Sequence, residues 1–334
     1  MIKTITVDLA LQLKEEHIFV DTRTPKEFEI DNIPGSINIP IFSNEERVIV
    51  GTLYNSDKIK AYQEGFQIYN KKILDLIEEF KKIDKNKKII IYCWRGGMRS
   101  KTMTELISNL GLDVVQLTDG YKEFRKFIRE ELQKYKPPFK LIVLQGLAGC
   151  GKTDLIKGLT PSIDLEGLAK HRSSVFGALG LEPVSQKMFE SRLFEKLQEL
   201  KNEKIVFIEG EAKKVGDVFV PNNLFEQMQK SQTINITCSI EERSKRIVKD
   251  YFTHNEDEKI KEIIIKLKVF LSNKHVEELN QLVDEKEYLK VAQILLEEHY
   301  DSQYNHALKN QVFSSEIKSD NIVEAIKDLN KLKE

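Results

Sequence analysis

Short apolar runs alternate along the chain with longer stretches in which apolar residues recur every three or four positions. Ile18 to Val20, Lys88 to Tyr92 and Val114 to Leu117 read as buried strands. Ile73, Leu76, Ile77 and Phe80 follow the i, i+3, i+4, i+7 spacing of an amphipathic helix. Met103, Leu106, Ile107 and Leu110 repeat it, with Gly111 where a helix C-terminus favours glycine. Strands alternating with helices predict a mostly parallel sheet covered on both faces. Pro137 and Pro138 cannot continue the helix predicted from Tyr121 to Lys134, and an apolar run, Leu141 to Leu144, follows at once. At roughly 150 residues per domain, the break predicts two domains, 1–136 and 139–334. In the second, Ile205 to Ile208 and Ile234 to Cys238 continue the strand pattern. After about Glu241 the pattern turns helical and charged. Ile260, Ile263, Ile264, Leu267, Phe270 and Leu271 form one stripe, and Val291, Ile294 and Leu295 begin another; both are expected to pack against the sheet. The tail after Leu308 predicts no more than a closing helix. The fold class is therefore α/β in both domains, with a helical C-terminal part.

Composition narrows the function classes. Lys plus Arg number 52 against 53 Asp plus Glu, a net charge of -1, which excludes a chain that coats nucleic acid by charge alone. With 40% hydrophobic and 31% charged residues, the composition is that of a soluble globular protein. The longest apolar run is the six residues Ile89 to Trp94, too short to cross a membrane, and the first residues lack the pattern of a secretory signal. Cys93, Cys150 and Cys238 are odd in number and far apart, forming neither a disulfide framework nor a zinc set. His299 and His306 have no ligand set around them either. The expectation is a cytoplasmic protein with reduced thiols and no membrane partner.

Two stretches carry chemistry. The run KIIIYC leads through WRGGMRS into the Met103 helix, which places Cys93 at the carboxyl end of a parallel strand, where open α/β sheets bind ligands. A helix N-terminus there favours an anion. With Arg95 and Arg99 nearby, such surroundings lower a thiol pKa from about 8.5 to roughly 3.5–7.5. Gly96 and Gly97 are expected to let the loop curl, and Arg99 to grip an oxyanion; Trp94 and Met98 complete the loop. Trp94, the single tryptophan, is expected either to stack on a base or to pack under the loop. The second stretch, Gly146 to Thr153, is a complete G-x-x-x-x-G-K-T after a strand and before a helix. Gly146, Gly149 and Gly151 allow backbone N–H groups to wrap a diphosphate, Lys152 neutralises it, and the Thr153 hydroxyl can hold Mg²⁺. Cys150 occupies a variable position and is read as filler. Glu209 and Glu211 follow a later strand, where an acid would orient Mg²⁺ or water. They are glutamates where an ordinary phosphate-loop ATPase has aspartate.

The first stretch resembles the rhodanese, or sulfurtransferase, domain. Asp21, Arg23, Glu27, Phe28 and the turn Ile33-Pro34-Gly35 match that fold's early signature. Most single-domain rhodaneses place the loop arginine one residue closer to the cysteine. The longer spacing resembles the related cell-cycle phosphatases, so a phosphatase is the competing reading for the first domain alone.

From about Ile18 to Leu308 the whole chain resembles the bacterial tRNA 2-selenouridine synthase family, a rhodanese-like domain followed by a P-loop NTPase-like domain with a helical C-terminal part. The resemblance rests on YCWRGGMRS, VGTLYN at Val50 to Asn55, GLAGCGKT, DLEGLAKHRSSVFG at Asp164 to Gly177, EGE at Glu209 to Glu211 and EEHYD at Glu297 to Asp301. It implies exchange of the sulfur of wobble 2-thiouridine in tRNA for selenium from selenophosphate, through an S-geranyl intermediate made from geranyl diphosphate. No tightly bound cofactor is implied, and the selenium donor would come from a selenophosphate-producing enzyme. Cys93 is then the chalcogen-handling nucleophile, and the resemblance leaves open whether it carries selenium or activates bound selenophosphate. His171, Arg172 and Ser173 would touch substrate, while Arg243 and Arg246 suggest a lid over phosphates or a solvated face. Lys122, Arg125, Lys126, Lys213 and Lys214 would follow RNA along a path between the domains. The alternative is a rhodanese-type sulfurtransferase coupled to a phosphate-loop ATPase that acts on a small acceptor. A further alternative is a phosphate-loop regulator whose inactive rhodanese module only binds a partner, against which intact Cys93 and Arg99 argue.

Overall fold

The computed structural model of the protein describes residues 2–84, 86–253, 256–301 and 311–333. The chain divides into two compact units, Met1–Leu132 with Glu190–Glu195, and Gln133–Phe189 with Lys196–Glu334.

The first unit is a five-stranded, all-parallel sheet in the order β1-β5-β4-β2-β3, formed by β1 (Thr4–Ile5), β2 (His17–Asp21), β3 (Ile37–Asn38), β4 (Lys88–Tyr92) and β5 (Val114–Leu117). Around it run α1 (Val7–Gln12), α2 (Pro25–Ile30), α3 (Asn44–Ser56), α4 (Lys58–Lys81), α5 (Met98–Asn109) and α6 (Gly120–Lys134). The central β4 is buried from Ile89 onward. Ile89 and Ile91 pack with Val20, Leu76, Phe80, Met103 and Ile107 in one core. The periodic residues expected to form two helices thus fall on α4 and α5, and Gly111 has the positive φ of a C-terminal glycine.

One ionic knot lies inside this unit. Arg23, fully buried, makes a bidentate pair with Asp21, donates to the Asp31 carbonyl at 2.7 Å, and lies 3.7 Å from the centre of the Tyr121 ring. The Tyr121 hydroxyl in turn donates to the Asp31 carboxylate. Burial pushes the Asp21 carboxyl up, against the pull of Arg23, while the guanidinium is held firmly protonated. The knot ties the end of β2 to the segment after α2 and to the first turn of α6.

The second unit holds another all-parallel sheet, in the order β12-β11-β6-β8-β7: β6 (Lys140–Gly146), β7 (Ser162–Ile163), β8 (Ile205–Glu209), β11 (Gln232–Thr237) and β12 (Ser315–Lys318). A small antiparallel hairpin, β9 (Lys214–Val215) and β10 (Val218–Phe219), stands apart from it. The helices are α7 (Lys152–Gly158), α8 (Leu165–Ala169), α9 (Gln186–Glu199), α10 (Asn222–Lys230), α11 (Ile240–Tyr251), α12 (Asp257–Lys266), α13 (Asn273–Asp284), α14 (Tyr288–Leu295) and α15 (Ile322–Lys331).

Two expectations fail here. The tail is not only a closing helix, because β12 pairs in parallel with β11 before α15 begins. As an edge strand with mostly exposed side chains it leaves no apolar run to read. The stripe of Ile260, Ile264, Leu267 and Leu271 does not pack against the sheet. It joins Ile247, Val276, Leu279, Val291 and Leu295, with Phe176 and Leu179 from the turn segment after α8, in a core that contains no strand residue, and Phe270 stays 62% exposed.

Replacing Arg23 by Met leaves Asp21 buried without its partner, and the expected loss is about 3–5 kcal/mol. Trp94, the only tryptophan, lies in this unit, so its fluorescence during denaturant unfolding reads the effect. A loss below about 0.5 kcal/mol would show that the knot does not hold the unit together.

Candidate functional site

Cys93 follows β4 directly and is buried. Its Sγ lies 3.1 Å from the Ser100 Oγ and 4.0 Å from the Gly97 carbonyl. Gln116 on β5 donates from Nε2 to both Ser100 Oγ and the Gly96 carbonyl, each at 2.8 Å. Ser100 and Gln116 thus fix the thiol and its loop. Ser100 stood in a recognised motif without a role, and Gln116 reads in sequence only as a polar break in an apolar strand.

The first turn of α6 props the loop from behind. The Tyr121 N–H donates to the Cys93 carbonyl and the Lys122 N–H to the Trp94 carbonyl, each at 2.9 Å. Gly120 sits so close that a Cβ would lie 2.3 Å from the Cys93 carbonyl oxygen, and its φ is +59°. Gly96 likewise has φ +60°, with the Leu117 carbonyl 3.1 Å from where a Cβ would be. Gly97 differs from expectation: its backbone is ordinary and a Cβ there would meet nothing, so the curl belongs to Gly96.

Trp94 is half-buried against Tyr121, ring centres 5.3 Å apart, so the ring packs beside the loop. Arg95 and Met98 are exposed. Arg99 is half-buried, and its Nη1 donates at 3.1 Å to Glu27, which also caps α2 through the Thr24 N–H. Burial would raise the Glu27 carboxyl, but Arg99 and the Thr24 N–H outweigh it and hold it below the usual range. Glu27 is thus an internal carboxylate on the arginine expected to grip an oxyanion, a role its place in the early signature did not show.

In the second unit the loop between β6 and α7 places Gly149 and Gly151 in the left-handed region, φ +75° and +85°. Neighbouring groups leave no room for side chains: a Cβ on Gly146 would lie 2.4 Å from the Ile236 carbonyl. Lys152 Nζ reaches back to the Gly146 carbonyl at 3.0 Å, and the Thr153 hydroxyl donates to Glu166 at 3.0 Å. Glu209, fully buried at the end of β8, accepts from the Glu166 N–H at 3.1 Å, while its Oε1 has no partner. Burial, then the Glu211 charge, pushes the Glu166 carboxyl up to about 8; burial and Glu166 push Glu209 well up. Glu166 is a site residue that sequence reading missed, although it lies inside a quoted motif. Among the described residues no group of three or more His, Cys, Asp or Glu is arranged to hold a metal. Thr153, Glu166 and the unpartnered Glu209 oxygen nonetheless fit the sparse oxygen set that Mg²⁺ takes beside a phosphate. Cys150 is buried in the core.

Other expected residues have structural roles. Arg243 is buried, donates to the Ala148 carbonyl of the phosphate loop at 2.8 Å, and grips Asp301 in bidentate fashion; Arg246 reaches Cys238 at 3.1 Å. Neither is a solvated face or a lid, and the Asp of the EEHYD motif, Asp301, is the partner of Arg243. Arg172 donates from Nη1 to the Leu179 carbonyl and lies over the Tyr251 ring, a structural role for at least part of its guanidinium. His171 is wedged between Gly177 and Gly216 with Nδ1 unpartnered, and burial lowers its pKa. Ser173 has a buried hydroxyl without a partner. His299 packs between Phe270 and Tyr300, whereas His306 lies outside the described residues. Arg125 is half-buried and paired with Asp31 and Glu190, whereas Lys122, Lys126, Lys213 and Lys214 are exposed.

Comparisons with known proteins agree with both units. The profile of the tRNA 2-selenouridine synthase AAA domain matches residues 139–331, and that of the rhodanese-like domain matches residues 6–127. A tRNA 2-selenouridine synthase of Nitrosomonas europaea is 32% identical over 70% of this chain and 63% of its own length. One of Sulfurovum sp. is 34% identical over 73% of this chain and 68% of its own. The chain thus spans somewhat less than two thirds of the Nitrosomonas relative. A solved N-terminal domain from Clostridium difficile 630 is 42% identical over 38% of this chain and 98% of that one, with a TM-score of 0.36.

The raised Glu166 carboxyl has a testable sign. Its folded pKa, about 8, lies above the ordinary 4.5, so the folded state binds the proton more tightly and stability falls as pH rises between those values. Glu166→Gln is expected to flatten that decline in urea midpoints measured from pH 4.5 to 8. Equal slopes in the two proteins would overturn the assignment.

Proposed function

This chain belongs to the tRNA 2-selenouridine synthase family, and on that premise we propose that it exchanges the sulfur of wobble 2-thiouridine in tRNA for selenium from selenophosphate, through an S-geranyl intermediate made from geranyl diphosphate. The observation that carries this reading is a thiol at the head of one parallel strand and a complete phosphate loop at the head of another, in one chain. Each precedes a helix whose N-terminus has no side-chain cap.

In the first step the thiocarbonyl sulfur donates a lone pair to the first carbon of the geranyl group. The carbon–oxygen bond breaks, and its electron pair leaves on the diphosphate. Backbone N–H groups around Gly146, Gly149 and Gly151, with the Lys152 ammonium, hold that charge. Mg²⁺, when bound by Thr153 with Glu166 and Glu209, supplies further neutralisation of the leaving group.

Alkylation, with the ring N–H proton lost to solvent, leaves a carbon–nitrogen double bond and turns a poor leaving group into a thiol. In the second step selenium attacks the ring carbon, the ring nitrogen takes up the double-bond electrons, and their return expels geranyl thiolate, which is protonated. Water cleaves the selenium–phosphorus bond and releases phosphate, and the ring nitrogen regains a proton as the selenocarbonyl forms. Cys93 handles the selenium, with the Gly96-Gly97 backbone, Arg95 and Arg99 around the oxyanion. One Arg99 donor, Nη1, already serves Glu27, so an anion takes the remaining guanidinium N–H groups or displaces that carboxylate. The tRNA substrate, a selenophosphate-producing enzyme as donor source and a cytoplasmic setting belong to the same reading. No described helix is long and apolar enough to cross a membrane.

Cys93→Ser is expected to abolish 2-selenouridine while S-geranyl-2-thiouridine accumulates, read by mass spectrometry of wobble nucleosides after incubation with both donors. Loss of both products with the fold intact would defeat this division of labour. Lys152→Ala is expected to weaken geranyl diphosphate binding roughly tenfold to a hundredfold, the worth of one charge-assisted contact. Unchanged affinity by calorimetry would remove the phosphate loop from the reaction.

A further inference from the structure

Beside Cys93 the first unit contains a cavity of about 920 Å³, and the phosphate loop contributes nothing to it. One end is reactive and cationic, with Cys93, Arg95 and Arg99; Glu27 is there too, already paired with Arg99. The rest of the wall is mostly aliphatic and aromatic, with Arg47, Thr52 and Asn55 as its polar members on α3, and comes largely from the α3–α4 hairpin, which carries the VGTLYN motif that the chemistry so far has not used.

The hairpin is built around its own contacts. Ser43 and Glu46 form a capping box on α3, and Asp57 both ends α3 and caps α4. Tyr54 meets Tyr62 edge-on at 6.2 Å, and Lys72 on α4 pairs with Glu46 on α3. Yet α3 has no buried residue at all. Val48 is 68% exposed, Phe66 46% and Met98 47%, and all three line the cavity. Gly51 also lines it, in mid-helix where glycine costs about 1 kcal/mol. A Cβ there would meet only the end of the Arg47 side chain, 2.3 Å from Nη1, so the glycine leaves room for that guanidinium over the helix.

A bare selenium or sulfur donor needs no such chamber. Its contents must join a polar, anion-compatible head at Cys93 to an apolar branch. Resting on the function proposed above, we infer that the α3–α4 chamber receives the prenyl chain of the S-alkylated nucleoside and so presents its ring carbon to the Cys93 loop. The rhodanese-like unit would then recognise the intermediate by its alkyl group, and unmodified 2-thiouridine would lack the anchor.

Trp94 lines the chamber and is the only tryptophan, so its fluorescence reports an occupant directly. The full chain is titrated with anticodon stem-loop RNAs whose wobble 2-thiouridine carries S-methyl, S-dimethylallyl or S-geranyl groups. 2-Selenouridine formation from selenophosphate is followed on the same RNAs. Affinity is expected to rise with chain length, at least about tenfold from methyl to geranyl. Val48→Ser with Phe66→Ser, both at exposed positions, should cut that ratio about tenfold. A ratio near one, or a ratio that the double variant leaves intact, overturns the inference, the latter by placing the chain elsewhere. Selenouridine formed without chain-length dependence would sink the chamber and spare the proposed reaction. Chain-length-dependent binding that the double variant weakens, with no selenouridine formed, would support the chamber and sink the reaction.

Discussion

The buried guanidinium of Arg23 is the contact on which the first site depends. It satisfies Asp21 at the end of β2 and the Asp31 backbone after α2, and it lies under the ring of Tyr121. Tyr121 supports Trp94 through its ring, while its backbone N–H holds the Cys93 carbonyl. A charge that cannot reach water fixes its partners strongly, since any displacement leaves an ion unpaired in a poor solvent. The reactive loop therefore inherits its position from a core ion pair several residues away in contact terms, not from its own glycines alone.

The second unit solves the same problem with different residues. Arg243 holds the phosphate loop through the Ala148 carbonyl and is itself fixed by Asp301, far along the chain. Both anion loops are thus braced by an arginine used as scaffold, while Arg99 lines the cavity beside Cys93 and Lys152 stands in the phosphate loop itself. A basic residue near a phosphate loop is not by that fact a phosphate ligand. Arg243 is buried and already engaged by both a loop carbonyl and a carboxylate, the mark of a scaffold role.

Much of this was legible in the sequence because buried parallel strands and strand-to-helix loops leave local marks. Cys93, the phosphate-loop glycines and the Pro137-Pro138 break are of this kind. The rest depends on contacts between distant positions. Gln116 braces the Cys93 loop from another strand, and Glu166 meets Thr153 across an intervening strand and loop. Neither has a local pattern. The β12 strand escaped notice because an exposed edge has no apolar run, and the helical stripe was assigned to the sheet because periodicity names a buried face without naming its partner. Arg172 and Arg125 read as ligands because charge in sequence does not show which donors already serve a carbonyl or a carboxylate of the same chain.

The capping of α3 has a further consequence. With both ends fixed by local hydrogen bonds, no fully buried residue, and only the partly buried Val50 packed against the core, this helix draws little stability from the sheet. Its amides should exchange with solvent through small local openings, well before those of β4. Such an arrangement separates admission from architecture: the doorway can part and reclose while the strands that aim the thiol keep their register.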